Sequence, residues 1–152
     1  MKVLLKIFCL ISILFLVGCG RDKYKTCNMN ITNKSQEYTQ NSNYKVYYRG
    51  KYVTKIVKYD NYMTDNDVTL DYLVQSKKLE LADFSDVYGG LEYNVALDEN
   101  NIKIQAIIDM SKVDIDKLKV NDYLDYDYVS SDRLTLTGAK YFYEAKGFTC
   151  DI

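Results

Sequence analysis

From Tyr93 to Met110 apolar and polar residues change places at almost every step. Tyr93, Val95 and Leu97 alternate with Asn94, Ala96 and Asp98; past Glu99-Asn100, Ile102, Ile104, Ala106, Ile108 and Met110 alternate with Lys103, Gln105, Ile107 and Asp109. A period of two puts each set on one face of a strand, which predicts an antiparallel hairpin with a dry side and a wet side. Two β-rich runs, Tyr44–Tyr48 and Tyr52–Tyr59, flank Arg49-Gly50-Lys51 and predict a second hairpin. Thr26 to Thr32 reads as a strand, and the polar stretch Asn33 to Asn43, with no period, as a loop or wide turn. Thr64 with an acid at Asp67 predicts a capped helix start. Leu70, Val74, Leu81, Phe84 and Tyr88 then recur at intervals of three or four, Lys77 filling one slot, until Gly89-Gly90 stops the helix. Lys77-Lys78 reads as the wet edge of that helix. Ser111 to Val120 predicts a short helical turn capped by Asp114. Asn121 to Asp132 is irregular, acidic and rich in tyrosine. Thr137 to Lys146 predicts a last helix ended by Gly147, with Phe148-Thr149-Cys150 returning as a short strand. The dry side of a sheet must be covered. The expectation is therefore one α+β domain over residues 26–152, an antiparallel sheet of about five or six strands with two main helices on one face.

The first residues follow another logic. Lys2 and Lys6 precede an apolar run from Ile7 to Val17, broken only by Ser12. As a helix that run is about 16 Å long, against roughly 30 Å of bilayer hydrocarbon. It predicts a secretory leader and not a membrane span. Leu16-Val17-Gly18-Cys19 resembles the lipobox of bacterial lipoproteins. That resemblance implies a leader over residues 1–18, a lipidated Cys19 and a tether over residues 19–25. The expected location is the outer face of the cell membrane, because two or more acyl chains give stable attachment.

Losing the leader takes Lys2 and Lys6 with it, so the formal charge moves from −1 to −3 over the remaining 134 of 152 residues. This leaves no basic patch and no expectation of a nucleic-acid partner. The sequence has no histidine, which removes the commonest general base and metal ligand. The expectation is a non-enzymatic protein without a cofactor. Its partners would be the membrane, through the anchor, and an envelope protein or small ligand. A structural or accessory subunit of an envelope complex is the alternative. Cys9 leaves with the leader; Cys27 and Cys150 remain near the two ends of the domain. Outside the cytoplasm such a pair predicts a disulfide, with two unpaired buried thiols as the alternative.

Few residues offer chemistry. Tyr44, Tyr47, Tyr48, Tyr52 and Tyr59 crowd one hairpin and form a candidate binding patch, since tyrosine combines apolar area with a polar tip; the other reading places them in the core. Asp122, Asp125, Asp127 and Asp132 are a candidate calcium loop, without the glycine and closing glutamate of an EF-hand. Asp114 and Asp116, two apart in a helical turn, point to different sides and make a poor acid–base pair. Ser130-Ser131 has no histidine to activate it.

Thr26-Cys27, the run Gly50 to Lys55, Tyr88-Gly89-Gly90-Leu91-Glu92-Tyr93, Asp109 to Leu118 and Lys146-Gly147-Phe148-Thr149-Cys150 together resemble the YehR-like lipoproteins. The most specific part is Val113 to Leu118; the chain departs from the family pattern over residues 121–128. The resemblance implies an α+β domain with an antiparallel sheet. It brings no catalytic residues, because the family's function is unassigned.

Overall fold

The strands are longer than the alternation suggests. The computed structural model describes residues 21–121, 124 and 126–152; residues 1–20, with the expected leader and Cys19, and Asp122, Tyr123 and Asp125 lie outside them. β1 (Lys23–Asn33), β2 (Tyr38–Arg49) and β3 (Tyr52–Met63) form a meander. α1 (Asp67–Tyr88) leads to the hairpin of β4 (Leu91–Asp98) and β5 (Asn101–Asp109), and β5 returns to pair with β3. Then come α2 (Ile115–Val120), a 3₁₀ turn (Tyr126–Tyr128), the small ribbon β6 (Val129–Ser130) and β7 (Arg133–Leu134), α3 (Leu136–Ala145) and β8 (Thr149–Cys150). The main sheet runs β4-β5-β3-β2-β1-β8 and every neighbour pair is antiparallel.

Both long helices lie on one face of this sheet, as the pattern requires. Leu70, Leu73 and Leu81 of α1 join Tyr62, Ile102, Ile104 and Ala106 in one buried cluster. Ala139 and Tyr143 of α3 join Tyr44, Val46 and Ile56 in the other. The register puts Val46 opposite Ile56, Ile56 opposite Ile108 and Tyr62 opposite Ile102, so all of these share the dry side. β8 pairs with β1 at the far edge, where a disulfide joins Cys27 to the directly opposed Cys150.

Several expectations need correction. β1 begins at Lys23, so the last three residues of the expected tether belong to the sheet. The expected loop from Asn33 to Asn43 is only a short turn, closed by the Asn33 carboxamide accepting from the Gln36 N–H at 3.1 Å. From Tyr38 onward the chain is strand. The helix cap is Asn66: its Oδ1 accepts from the N–H groups of Val68 and Thr69 at 3.0 and 3.1 Å. Thr64 instead donates to the Glu37 carbonyl at 2.7 Å, tying the helix start to the first turn. The dry side of β4 is only partly covered, because β4 is an edge strand; Tyr93 and Leu97 stay 41% and 58% exposed. Gly89 ends α1 with φ at +71°, its N–H reaching the Ser85 carbonyl, and Gly147 follows α3 with φ at +92°; both conformations favour glycine.

Candidate functional site

An apolar sheet face under two helices should be filled with apolar side chains. Here its centre is not. On β2, Gln40, Ser42 and Tyr44 follow one another along the dry side; on β3, Lys58, Asp60 and Tyr62 oppose them. Ser42 and Asp60 are 4% and 7% exposed. The Asp60 carboxylate accepts a hydrogen bond from the Ser42 hydroxyl and another from the Tyr44 hydroxyl, 3.0 Å from one oxygen. Two hydroxyl donors satisfy a buried acceptor that would otherwise cost several kcal/mol.

Lys58 has no such partner. Among the described residues its ammonium makes no ion pair or hydrogen bond; it lies 4.9 Å from the centre of the Tyr44 ring. Burial pushes its pKa below the ordinary lysine value, and the nearby Asp60 charge opposes part of that shift. Burial, with the Asp60 charge added, pushes the Tyr44 and Tyr62 phenols well above their usual range.

These groups form the floor of a cleft of about 240 Å³ between α1 and α3. Its apolar walls include Leu81 and Phe84 of α1, Ile104 and Ala106 of β5, and Phe142 of α3. Lys77 and Glu80 on α1 pair at 2.7 Å and also line it. Lys77 is not on the wet edge of the helix: its ammonium lies 5.5 Å from the centre of the Tyr62 ring, and its side chain is 25% exposed. The slot it fills in the apolar stripe faces the cleft. The cleft thus combines aliphatic and aromatic walls with a cation over a ring and a carboxylate held by hydroxyls. Such a mixture binds molecules with an apolar body and a polar head.

The tyrosines of the candidate patch do not gather at one surface. Tyr44 is in the core, 6% exposed. Tyr47 and Tyr59 lie on the opposite, open side of the sheet, with the Lys55 ammonium 4.4 Å from the centre of the Tyr47 ring. Tyr48 sits at a register shift in β2. Tyr52 packs under the Arg133 guanidinium at 4.3 Å, and the neighbouring Ser130 and Ser131 hydroxyls lower the pKa of its phenol. Asp114 caps α2 through the Lys117 N–H at 3.0 Å, whereas Asp116 pairs with Lys119 at 2.6 Å. Of the candidate calcium loop, Asp127 and Asp132 are described; Asp132 pairs with Lys119 at 3.1 Å. No group of three or more metal-ligating side chains occurs among the described residues. No helix among them is long and apolar enough to cross a membrane.

No family model and no curated protein matches the chain. Two solved structures resemble it. The NMR structure of the Escherichia coli YehR protein shares 15% identity over 87% of this chain and 94% of its own, with a TM-score of 0.57. The NMR structure of a protein from Streptococcus pneumoniae TIGR4 shares 10% identity over 88% of this chain and 87% of its own, with a TM-score of 0.53. The likeness is one of fold. It agrees with the architecture implied by the sequence resemblance to the YehR-like proteins, and it assigns neither an activity nor a location.

Proposed function

We propose that this chain is a lipid-anchored, extracytoplasmic binding module without enzymatic activity, and that the cleft between α1 and α3 holds its ligand. The observation that carries the reading is Lys58, an ammonium set among apolar walls with an aromatic ring and no carboxylate in contact. Such a placement disfavours the empty state, since a largely buried cation is costly and the Asp60 and Glu80 charges, neither bonded to it, offset only part of that cost. A ligand head group that accepts hydrogen bonds, a carboxylate or a phosphate, would meet the ammonium while the apolar body lies against Leu81, Phe84 and Ile104. The anchor rests on Lys2, Lys6, the short apolar run and Leu16-Val17-Gly18-Cys19. The lack of histidine in the sequence supports binding over catalysis.

Native mass spectrometry of the protein extracted from its own membranes tests the site. The wild type is expected to carry a reproducible extra mass and Lys58→Met to lose it while keeping its fold. An equal extra mass on both proteins would place the ligand elsewhere. Cys19→Ser tests the anchor separately: the variant is expected to lose the lipid mass and fail to fractionate as a processed membrane protein.

A further inference from the structure

The side of the sheet away from the helices carries a second pattern. Strand register aligns Thr149, Asn28, Asn43, Tyr59, Gln105 and Asn94 in one row across all six strands. The next row aligns Asn30, Asn41, Asn61, Lys103 and Ala96. Seven carboxamides thus flank one aromatic ring, and Tyr59 is 42% exposed. The twist of the sheet makes an open groove of about 750 Å³ over these rows. At about 4.8 Å between strands the two rows are roughly 24 and 19 Å long, the span of a short oligosaccharide.

We propose that this face is a second binding site and that its occupant is a neutral, unbranched sugar chain. The charge pattern selects that partner. The one charged side chain in the two rows, Lys103, is paired with Asp98 at 2.5 Å, and the lysines nearest to them on this face, Lys45 and Lys55, lie over the Tyr24 and Tyr47 rings, so the rows themselves present amides and one ring where an acidic peptide, a nucleic acid or a lipid head group would need a cluster of cations. Carboxamides both donate and accept, as sugar hydroxyls do, and an exposed tyrosine is a platform for the apolar side of a pyranose. The amides are available. Asn43 donates to Asn28 at 2.5 Å, but Asn30, Asn41, Asn61, Asn94 and Gln105 spend none of their side-chain capacity among the described residues. The Asn61 Oδ1 is buried without a donor, an acceptor left open beneath the groove. The amide rows and the cleft lie on opposite faces of the sheet, with Met29, Asp60 and Ile104 bordering both spaces.

The test uses the full chain in a detergent without sugar head groups, titrated with chitotetraose and with cellotetraose. Side-chain amide resonances are followed by NMR. At least one of the two sugars is expected to shift those of Asn41, Asn61, Asn94 and Gln105. Tyr59→Ala is expected to weaken that binding about tenfold with an unchanged melting temperature, and Lys58→Met to leave it intact. Gln105→Ala serves as a second variant with the same expectation of weakening. No shift with either sugar, shifts confined to residues of the cleft, or tighter binding of an acidic oligosaccharide would each overturn the proposal.

Discussion

Replacing both Cys27 and Cys150 by alanine removes a bridge that spans 123 residues of sequence. In the chain-entropy treatment a closed loop of that length restricts the unfolded state by about 5 kcal/mol at 25 °C. A domain of this size has a stability of roughly 5 to 15 kcal/mol in total, so the bridge accounts for between about a third and all of it. An unfolding entropy of about 2.1 cal/mol/K per residue converts that loss into a fall in melting temperature of roughly 15 to 20 °C. The native contacts around the bridge do not replace it. β8 has two residues, and beyond it Asp151 adds a bond to the Thr26 N–H at 2.6 Å and one to the Thr26 carbonyl at 3.0 Å. Urea unfolding followed by far-ultraviolet circular dichroism, on the wild type and the double variant, measures the difference. The dependence on urea should steepen in the variant, because its unfolded chain exposes more surface. A loss below about 1 kcal/mol with unchanged steepness would refute the reasoning, and would mean that the last strand holds itself.

Three further outcomes follow from local geometry. Asn66→Ala should cost about 1 kcal/mol in urea unfolding, as the N–H groups of Val68 and Thr69 lose their acceptor. Gly138→Ala should cost roughly 2 to 4 kcal/mol and lower the melting temperature, because an added Cβ would sit 2.2 Å from the Tyr128 carbonyl oxygen at the first turn of α3. Above about pH 10 stability should fall: the unfolded chain ionises Tyr44 and Tyr62 there while the fold keeps both neutral, which gives roughly 1.4 kcal/mol per pH unit for each. Lys58 acts in the other direction at lower pH, since its lowered pKa means that stability rises as pH climbs towards the ordinary lysine value. Tyr44→Phe should reduce the alkaline slope by about half in urea titrations run from pH 9 to 12; an unchanged slope would contradict the assignment.

What could be read from the sequence was whatever obeyed a simple period. The stripe of Leu70, Leu81, Phe84 and Tyr88 gave α1, and the alternation of Ile102, Ile104 and Ala106 gave β5, because each buries one apolar face. Tyr38 to Asn43 escaped because the inward positions Gln40 and Ser42 are polar. Gln40 lines the cleft and Ser42 donates to its Asp60 carboxylate, so the strand lost its alternation at the place where the candidate site lies. Lys77 was the one local pointer, a lysine inside an apolar stripe. Lys58 and Asp60 gave no signal of their own, and only the strand register places them beneath the helices. β4 looked buried on one side because periodicity reports which face a side chain takes, and not whether anything covers that face. The separation of Tyr44 from Tyr47 and Tyr59 was present in the parity of the numbers, yet density of tyrosine drew attention first. The amide rows needed the pairing of strands far apart in sequence.

The central claim is that the space between α1 and α3 is a ligand site and not a packing defect. Ala106 lines that space and is 1% exposed. Ala106→Leu fills it without touching the proposed anchor or the disulfide. The decisive measurement is the native mass of this variant beside the wild type, both purified from the cells that made them. The account predicts a wild type that carries a small molecule and a folded variant that carries none. A wild type without bound mass, beside a variant that simply melts higher, would contradict it.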